Sequence, residues 1–101
     1  MNTFQAVTMN ENDNVAVAIK DIAKNSAIEL NHQNKTIRVL VVDDIEFGHK
    51  FSILPIKKGE NILKYGEVIG VATIDICIGE HVHIHNLEGI RGRGDRVEQS
   101  R

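Results

Sequence analysis

The chain of 101 residues has one cysteine, one proline, no tryptophan and only 4 % aromatic side chains. Because the lone Cys77 cannot close a disulfide within the chain, the cysteine content is typical of a cytosolic protein. A formal net charge of −2 and few aromatic rings provide neither the electrostatic field nor the stacking surface of a nucleic-acid-binding protein. We therefore expect no nucleic-acid partner.

Long apolar runs are also missing. Segment 37–42 contains Arg38 and is followed by Asp43 and Asp44, and no segment approaches the roughly 20 apolar residues that a membrane span requires. Residues 1–5 lack the basic stretch and apolar run of a signal peptide. These absences predict a soluble, cytoplasmic protein without a membrane partner, and a hydrophobic content of 42 % is sufficient for the core of one domain.

A five-residue turn motif recurs along the chain. Asp or Pro, Ile, two variable residues and then Gly or Asn occupy 21–25, 44–48, 55–59 and 75–79. Asp or Pro begins a tight turn, the isoleucine anchors it, and Gly or Asn accepts a left-handed backbone. Apolar and β-branched segments predict strands at 15–19, 37–42, 50–54, 68–72 and 81–85. The pattern predicts a compact, mostly β domain of short strands and turns.

Both ends of the chain differ from the middle. Residues 1–14 are polar before the first clear strand, and 89–101 are rich in glycine, arginine and acidic residues, so we expect mobile ends. The tail alternatively lies along a partner, because arginine binds carboxylates through two hydrogen bonds. We therefore divide the chain into an N-terminal extension at 1–11, a domain at 12–88 and a flexible tail at 89–101.

Two single residues are expected to have no functional role. His32 is expected to be a solvated hairpin-tip residue, and Cys77 is expected to be a packed side chain.

Three histidines stand at alternate positions in the last predicted strand, namely His81, His83 and His85. Alternate side chains share one face of a strand, with Val82 and Ile84 on the other face. Neighbouring histidines would lie ~6.6 Å apart at Cα and the outer two ~13 Å, so one metal ion would contact only two of them. The alternatives are an exposed or interface surface, and proton transfer or carboxylate binding by His83 or His85.

Further candidates lie where turns meet strands. His49 and Lys50 follow a turn glycine, and Lys64 and Tyr65 precede a strand, so neighbouring molecules can reach them. Ammonium groups, a phenolic hydroxyl and the amide of Asn86 supply hydrogen-bond donors for carboxylate and hydroxyl oxygens. The alternative is that the lysines are solvated surface residues and the tyrosine is packed.

Three segments in fixed order carry a family resemblance: Gly48-His49-Lys50-Phe51, the nine residues 62–70 and the eight residues 79–86. With residues 14–18 they resemble the SAF domain of the altronate and galactarate dehydratase family, over residues 12–95. The chain departs from the family at two turn positions. Asn25 stands where the family usually has Gly, and Pro55 stands where it usually has Asp. Both residue types also favour turns.

The resemblance implies a SAF, β-clip-like fold and a role as the small subunit of a two-subunit sugar-acid hydro-lyase of the altronate dehydratase type. Such a subunit would be inactive alone and would complete or cover the active site of a large catalytic subunit. A divalent metal, Fe²⁺ or Mn²⁺, would be held mainly by that partner, and the substrate would be a sugar acid such as altronate. The alternatives are the small subunit of a sulfolactate sulfo-lyase and a noncatalytic ligand-binding or accessory module, and a homo-oligomer is also compatible with the sequence.

The resemblance also assigns roles to residues, all of them named above for their chemistry. We expect His83 and His85 to be catalytic. A metal ion shared with the partner would be bound by His81 and His83. Substrate contacts are expected from five residues: His49, Lys50, Lys64, Tyr65 and Asn86.

Overall fold

Short antiparallel strands make up the fold. The computed structural model describes residues 4–89, and within this range there is no helix. The strands of the described region are β1 (Ala6–Val7), β2 (Val15–Ala18), β3 (Ala27–His32), β4 (Lys35–Leu40), β5 (Lys50–Ser52), β6 (Asn61–Lys64), β7 (Glu67–Ala72), β8 (His81–Val82) and β9 (Leu87–Gly89). The predicted mostly β domain of short strands and turns is confirmed.

The strands form three sheets. The first has the order β1-β2-β5-β8, the second is the hairpin β3-β4, and the third has the order β6-β7-β9. β1 pairs with β2, so part of the segment assigned to an N-terminal extension is an edge strand of the first sheet. The predicted flexible tail lies outside the described residues from position 90 onward.

Four predicted strands, at 15–19, 37–42, 50–54 and 68–72, correspond to β2, β4, β5 and β7 with shifted ends. The prediction for 81–85 is wrong beyond Val82, because residues 83–86 form a turn. The hairpin tip predicted around His32 is the two-residue loop Gln33-Asn34, with φ values of 55° and 61°. Positive φ at both loop residues matches the right-handed twist of the flanking strands.

The four turn motifs pair two by two. Ile22 forms a β-bridge with Ile45, and Ile56 forms one with Ile76. All four isoleucines are buried, as the motif predicts. The last residue of each motif has a left-handed backbone, with φ values of 71°, 85°, 90° and 90° at Asn25, Gly48, Gly59 and Gly79.

Aspartates lock the turn pairs together. The Asp21 carboxylate accepts a hydrogen bond from the Phe47 amide at 2.8 Å, and Asp44 accepts one from the Lys24 amide at 2.8 Å. In the second pair only Asp75 does so, from the Lys58 amide at 2.9 Å. Because Pro55 stands where the other three motifs have an aspartate, the second pair has this bond in one direction only.

The described residues pack into two hydrophobic clusters, each built around one turn pair. The first contains Ile22 and Ile45, and the second contains Ile56 and Ile76. β2 contributes to both, with Ala16 and Ala18 in the first cluster and Val15 in the second. Since successive side chains of a strand point to opposite faces, the first sheet lies between the two clusters.

A buried aspartate joins the segment before β2 to the third sheet. Asp13 is 1 % exposed, and its carboxylate accepts hydrogen bonds from the amides of Met9 and Asn10 at 3.1 Å and of Gly66 at 2.8 Å. Three N–H donors compensate the cost of burying this group. Asp13 therefore joins the N-terminal segment to the loop between β6 and β7.

Two predictions for single residues are wrong. His32 is buried at the end of β3, with Nδ1 at 2.9 Å from the Thr8 hydroxyl, so it is not a solvated residue. Cys77 is exposed in the fourth turn and is not packed in the core. Residues 4–89 contain no helix with the length and apolar character needed to cross a membrane.

Candidate functional site

β5 and β8 bring distant histidines together at one edge of the first sheet. His49 immediately precedes β5, which pairs with β8, where His81 lies. The ring centroid of His49 lies 5.1 Å from that of His81 and 5.0 Å from that of His83. The ring of His85 lies 5.5 Å from that of His81. These four residues, His49, His81, His83 and His85, are called the histidine cluster below.

A turn, rather than a strand, gathers the three alternate histidines. A straight strand would separate His81 from His85 by ~13 Å at Cα, whereas the turn at 83–86 brings their rings to 5.5 Å. The same turn leaves Ile84 83 % exposed, while Val82 is buried. The prediction of an apolar face opposite the histidines is therefore correct for Val82 and wrong for Ile84.

Three imidazoles point their nitrogens at a common space. Nδ1 of His49 lies 2.9 Å from Nε2 of His81, and ligand atoms of His49, His81 and His83 all lie within 4.8 Å of one another. Two nitrogens that bind one metal ion at about 2.0–2.1 Å are separated by about 3.0–3.4 Å. The donor set therefore fits a divalent transition metal after a small movement of one ring. The sequence predicted the pair His81 and His83 for this role, and the structure adds His49.

Asn86 lies beneath the turn and holds it. Its Oδ1 accepts a hydrogen bond from the His83 amide at 2.9 Å, and its Nδ2 donates one to the His81 carbonyl at 2.9 Å. The residue is 1 % exposed. Since both polar atoms of the side chain are occupied and buried, the geometry does not suit the substrate contact predicted for Asn86.

Two carboxylates that the sequence did not single out support the histidine cluster. Asp43 accepts a hydrogen bond from the His81 amide at 3.0 Å. An oxygen of Glu46 lies 3.5 Å from Nε2 of His49, on the side of the ring away from His81. Asp43 is separated from His81 by 38 positions, so no local pattern indicates this contact.

The surroundings of His81 and His83 disfavour protonation of both rings. Partial burial, followed by the charges of His49, His85 and His83, lowers the pKa of His81, against a smaller opposing effect of Asp43. Desolvation, followed by the charges of Lys50, His49 and His85, lowers the pKa of His83. Because the ordinary pKa of histidine is about 6.5, both rings are mostly neutral near pH 7 and keep a lone pair for a ligand or a proton.

Two lysines and a tyrosine extend the cluster into a wider polar face. Lys50 begins β5 and is half-buried, and burial together with the charge of Lys64 lowers its pKa. Lys64 ends β6, and its Nζ lies 5.2 Å from the centroid of the Tyr65 ring. Tyr65 is exposed in the loop between β6 and β7.

These residues together are called the histidine–lysine face below. The charge of Lys50 lowers the pKa of His83 and the charge of Lys64 lowers that of Lys50, so the two lysines lie within electrostatic range of the histidine cluster. Of the eight site residues that the sequence predicted, only Asn86 is enclosed beneath this face. Its members are His49, Lys50, Lys64, Tyr65, His81, His83 and His85.

Comparison with known proteins shows which family the chain resembles. The profile of the altronate/galactarate dehydratase SAF domain matches residues 4–89. The chain is 43 % identical over 83 residues to altronate dehydratase of Escherichia coli (strain K12), which covers 82 % of this chain and 16 % of that protein. It is 40 % identical over 82 residues to altronate dehydratase of Bacillus subtilis (strain 168), which covers 81 % of this chain and 16 % of that protein.

A shorter relative is the (2R)-sulfolactate sulfo-lyase subunit alpha of Chromohalobacter salexigens, 39 % identical over 56 residues, or 55 % of this chain and 60 % of that protein. This chain therefore spans about one sixth of the length of the altronate dehydratases and a larger share of the sulfo-lyase subunit. Because the family profile covers nearly the whole chain, the chain belongs to the altronate/galactarate dehydratase SAF domain family.

Proposed function

We propose that this chain is the small SAF subunit of a two-subunit, metal-dependent sugar-acid dehydratase of the altronate dehydratase type. The observation that carries the proposal is the histidine–lysine face, which groups seven side chains with acid–base or anion-binding chemistry around the converging imidazoles. The altronate dehydratases that it matches are similar to it over only 16 % of their length. A large partner subunit would supply the remaining part of such an enzyme, and the face would complete its active site.

The face suits an anionic polyol. The ammonium groups of Lys50 and Lys64 attract a carboxylate, and the Tyr65 hydroxyl bonds to sugar hydroxyls. Lys50 is half-buried, so solvent ions screen its charge less than they would on an open surface. The lysines would therefore orient the carboxylate end of the substrate toward the neighbouring imidazoles.

Dehydration of a sugar acid removes the proton next to the carboxylate and expels a hydroxyl as water, and the resulting enol becomes a 2-keto-3-deoxy acid. Imidazole is suited to both proton transfers near neutral pH. We assign to His85, which is exposed at the turn, the protonation of the departing hydroxyl, with His83 beside it. When bound, a divalent metal such as Fe²⁺ or Mn²⁺ supplies Lewis-acid polarisation of the substrate oxygens.

The test is reconstitution with the large subunit. The chain is co-expressed with a candidate large subunit of the dehydratase family, and the purified complex is assayed for conversion of altronate and galactarate to 2-keto-3-deoxy acids. We expect no turnover by either subunit alone. His85→Ala and His83→Ala each lower kcat by about 10²–10⁴-fold, the usual contribution of a positioned acid or base.

His32→Gln serves as the control, because His32 lies outside the histidine–lysine face, and it should retain parental kcat once its fold is verified by circular dichroism. Full activity of the large subunit without this chain would contradict the proposal. So would unchanged kcat in both histidine variants.

The sulfo-lyase subunits support a second candidate. The match to the (2R)-sulfolactate sulfo-lyase subunit alpha of Paracoccus pantotrophus covers 82 % of that protein at 40 % identity, so a separate subunit little longer than the matched region exists among the relatives. In this candidate the same cationic face would bind a sulfonated acid, and sulfite would leave in place of water. Assaying the complex with (2R)-sulfolactate for sulfite release distinguishes the two. Absence of both activities would leave a noncatalytic module.

A further inference from the structure

Three imidazoles of the histidine cluster are arranged like the ligands of a metal ion. Nδ1 of His49 faces Nε2 of His81 at 2.9 Å, and His83 places a ring nitrogen within 4.8 Å of both. Packing of the hydrophobic clusters does not require three partly exposed imidazoles to converge in this way.

We propose that His49, His81 and His83 bind one divalent transition-metal ion through Nδ1 of His49, Nε2 of His81 and a ring nitrogen of His83, without a ligand from another chain. Three imidazoles leave at least one coordination position open, which is the arrangement of catalytic rather than structural metal sites. The inference rests on the proposed function only for the role of the metal as an electrophile toward substrate oxygens. Binding of the ion itself needs neither partner nor substrate.

Groups around the three rings support them as ligands. Metal-binding histidines usually donate a hydrogen bond from their second ring nitrogen to a carboxylate or carbonyl, and this bond fixes the orientation of the ring. Glu46 lies 3.5 Å from Nε2 of His49, the nitrogen opposite the proposed ligand atom. Asp43 and Asn86 hold the main chain at His81 and His83 through hydrogen bonds of 2.9–3.0 Å. The main chain at two ligands and the ring of the third are therefore restrained.

The donor set selects the class of metal. Neutral imidazoles favour Zn²⁺, Co²⁺, Ni²⁺, Cu²⁺ and Fe²⁺, whereas Mg²⁺ and Ca²⁺ prefer oxygen ligands. Lys50 is close enough for its charge to lower the pKa of His83, so it also repels a cation. We therefore expect a site that binds borderline metals, does not bind Mg²⁺, and is weaker than a three-histidine site without a neighbouring cation.

The experiment uses the full, untagged chain with Cys77→Ser, which removes the exposed thiol as a competing ligand. Co²⁺ and Zn²⁺ are titrated by calorimetry at neutral pH, and Co²⁺ binding is also followed by visible absorption. Mg²⁺ serves as the negative control. We expect one Co²⁺ or Zn²⁺ per chain and no heat with Mg²⁺. His49→Gln and His83→Gln should each lower affinity at least tenfold, because loss of a supporting group alone costs about 10–100-fold.

His32→Gln is the matched control and should bind with parental affinity, because it removes one histidine without touching the cluster. Amide NMR spectra verify the fold of each variant. Weak binding at several sites, or parental affinity in both His49→Gln and His83→Gln, would overturn the inference. Stoichiometric binding together with an inactive reconstituted complex would overturn only the proposed function, whereas an active complex whose isolated small chain binds no metal would overturn only this inference.

Discussion

Asn86 governs the histidine cluster at the scale of one residue. Its side chain bridges the His81 carbonyl and the His83 amide, and its own carbonyl accepts a hydrogen bond from the Thr73 amide at 3.0 Å. The bridge spans the point where β8 ends and the turn begins. Without it, the main-chain groups of two cluster members would lose their partners while partly buried.

We predict that Asn86→Ala lowers the free energy of unfolding by about 2 kcal/mol, since a buried polar group without a partner costs about 1–3 kcal/mol. Urea denaturation followed by circular dichroism measures the change. Asn86→Asp should also destabilise the chain, because it keeps the acceptor for the His83 amide but places an oxygen against the His81 carbonyl.

The matched control is Asn61→Ala, an exposed position on β6, which should change stability by less than about 0.5 kcal/mol. An Asn86→Ala variant as stable as the parent would show that the turn does not depend on this side chain.

Residue type was easier to predict than residue environment. Imidazole, ammonium and phenol chemistry is a property of the side chain alone, so the members of the histidine–lysine face could be predicted from the amino-acid sequence. Burial depends on contacts with distant segments. His32 is covered through its contact with Thr8, 24 positions away, and Cys77 is exposed although isoleucines flank it. Neither environment follows from neighbouring residues.

At the scale of elements, the paired turn is the repeated unit. In the first pair, each aspartate accepts a hydrogen bond from the main chain of the other turn, and a bridge between buried isoleucines joins the two. Each turn therefore supplies both a core anchor and an acceptor for its partner. The motif predicted the turns because its residues act locally, but it did not predict which turns pair.

We predict that Asp44→Ala lowers the free energy of unfolding by about 1 kcal/mol, because it leaves the Lys24 amide without its acceptor. Asp44→Asn retains a side-chain oxygen at this position and should restore most of the loss. Thermal unfolding of the parent and both variants provides the comparison. Equal losses in Asp44→Ala and Asp44→Asn would indicate that charge, rather than the hydrogen bond, stabilises the turn pair.

Strand ends were less predictable than turns. The alternation of histidines and β-branched residues from 81 to 85 has the period of a strand, yet pairing with β5 ends at Val82. Asn86 folds the following residues back through its hydrogen bonds. Alternation describes which residues fit a strand, whereas the length of a strand depends on where its partner is available.

At the scale of the whole molecule, Gly79 joins the fourth turn to the segment that follows β4 and to the end of β5. Its carbonyl accepts a hydrogen bond from the Val42 amide at 3.0 Å, and its amide donates one to the Ser52 carbonyl at 2.8 Å. The fourth turn thereby contacts the end of the apolar run that follows β4. This junction precedes β8 directly, so the placement of His81 beside His49, 32 positions away, depends on it. Pairing at such a distance could not be predicted from local pattern.

Gly79 and Gly59 occupy the same motif position with the same φ of 90°, but their surroundings differ. A Cβ at Gly79 would lie 2.0 Å from the Leu40 carbonyl oxygen, whereas a Cβ at Gly59 would meet no atom within 4 Å. Gly59→Ala should therefore cost only the strain of a left-handed alanine, about 1–2 kcal/mol. Gly79→Ala should cost at least about 1–3 kcal/mol more, because main-chain atoms must move. Urea midpoints measure both changes, and equal midpoints would show that the main chain at Gly79 does not pack closely against Leu40.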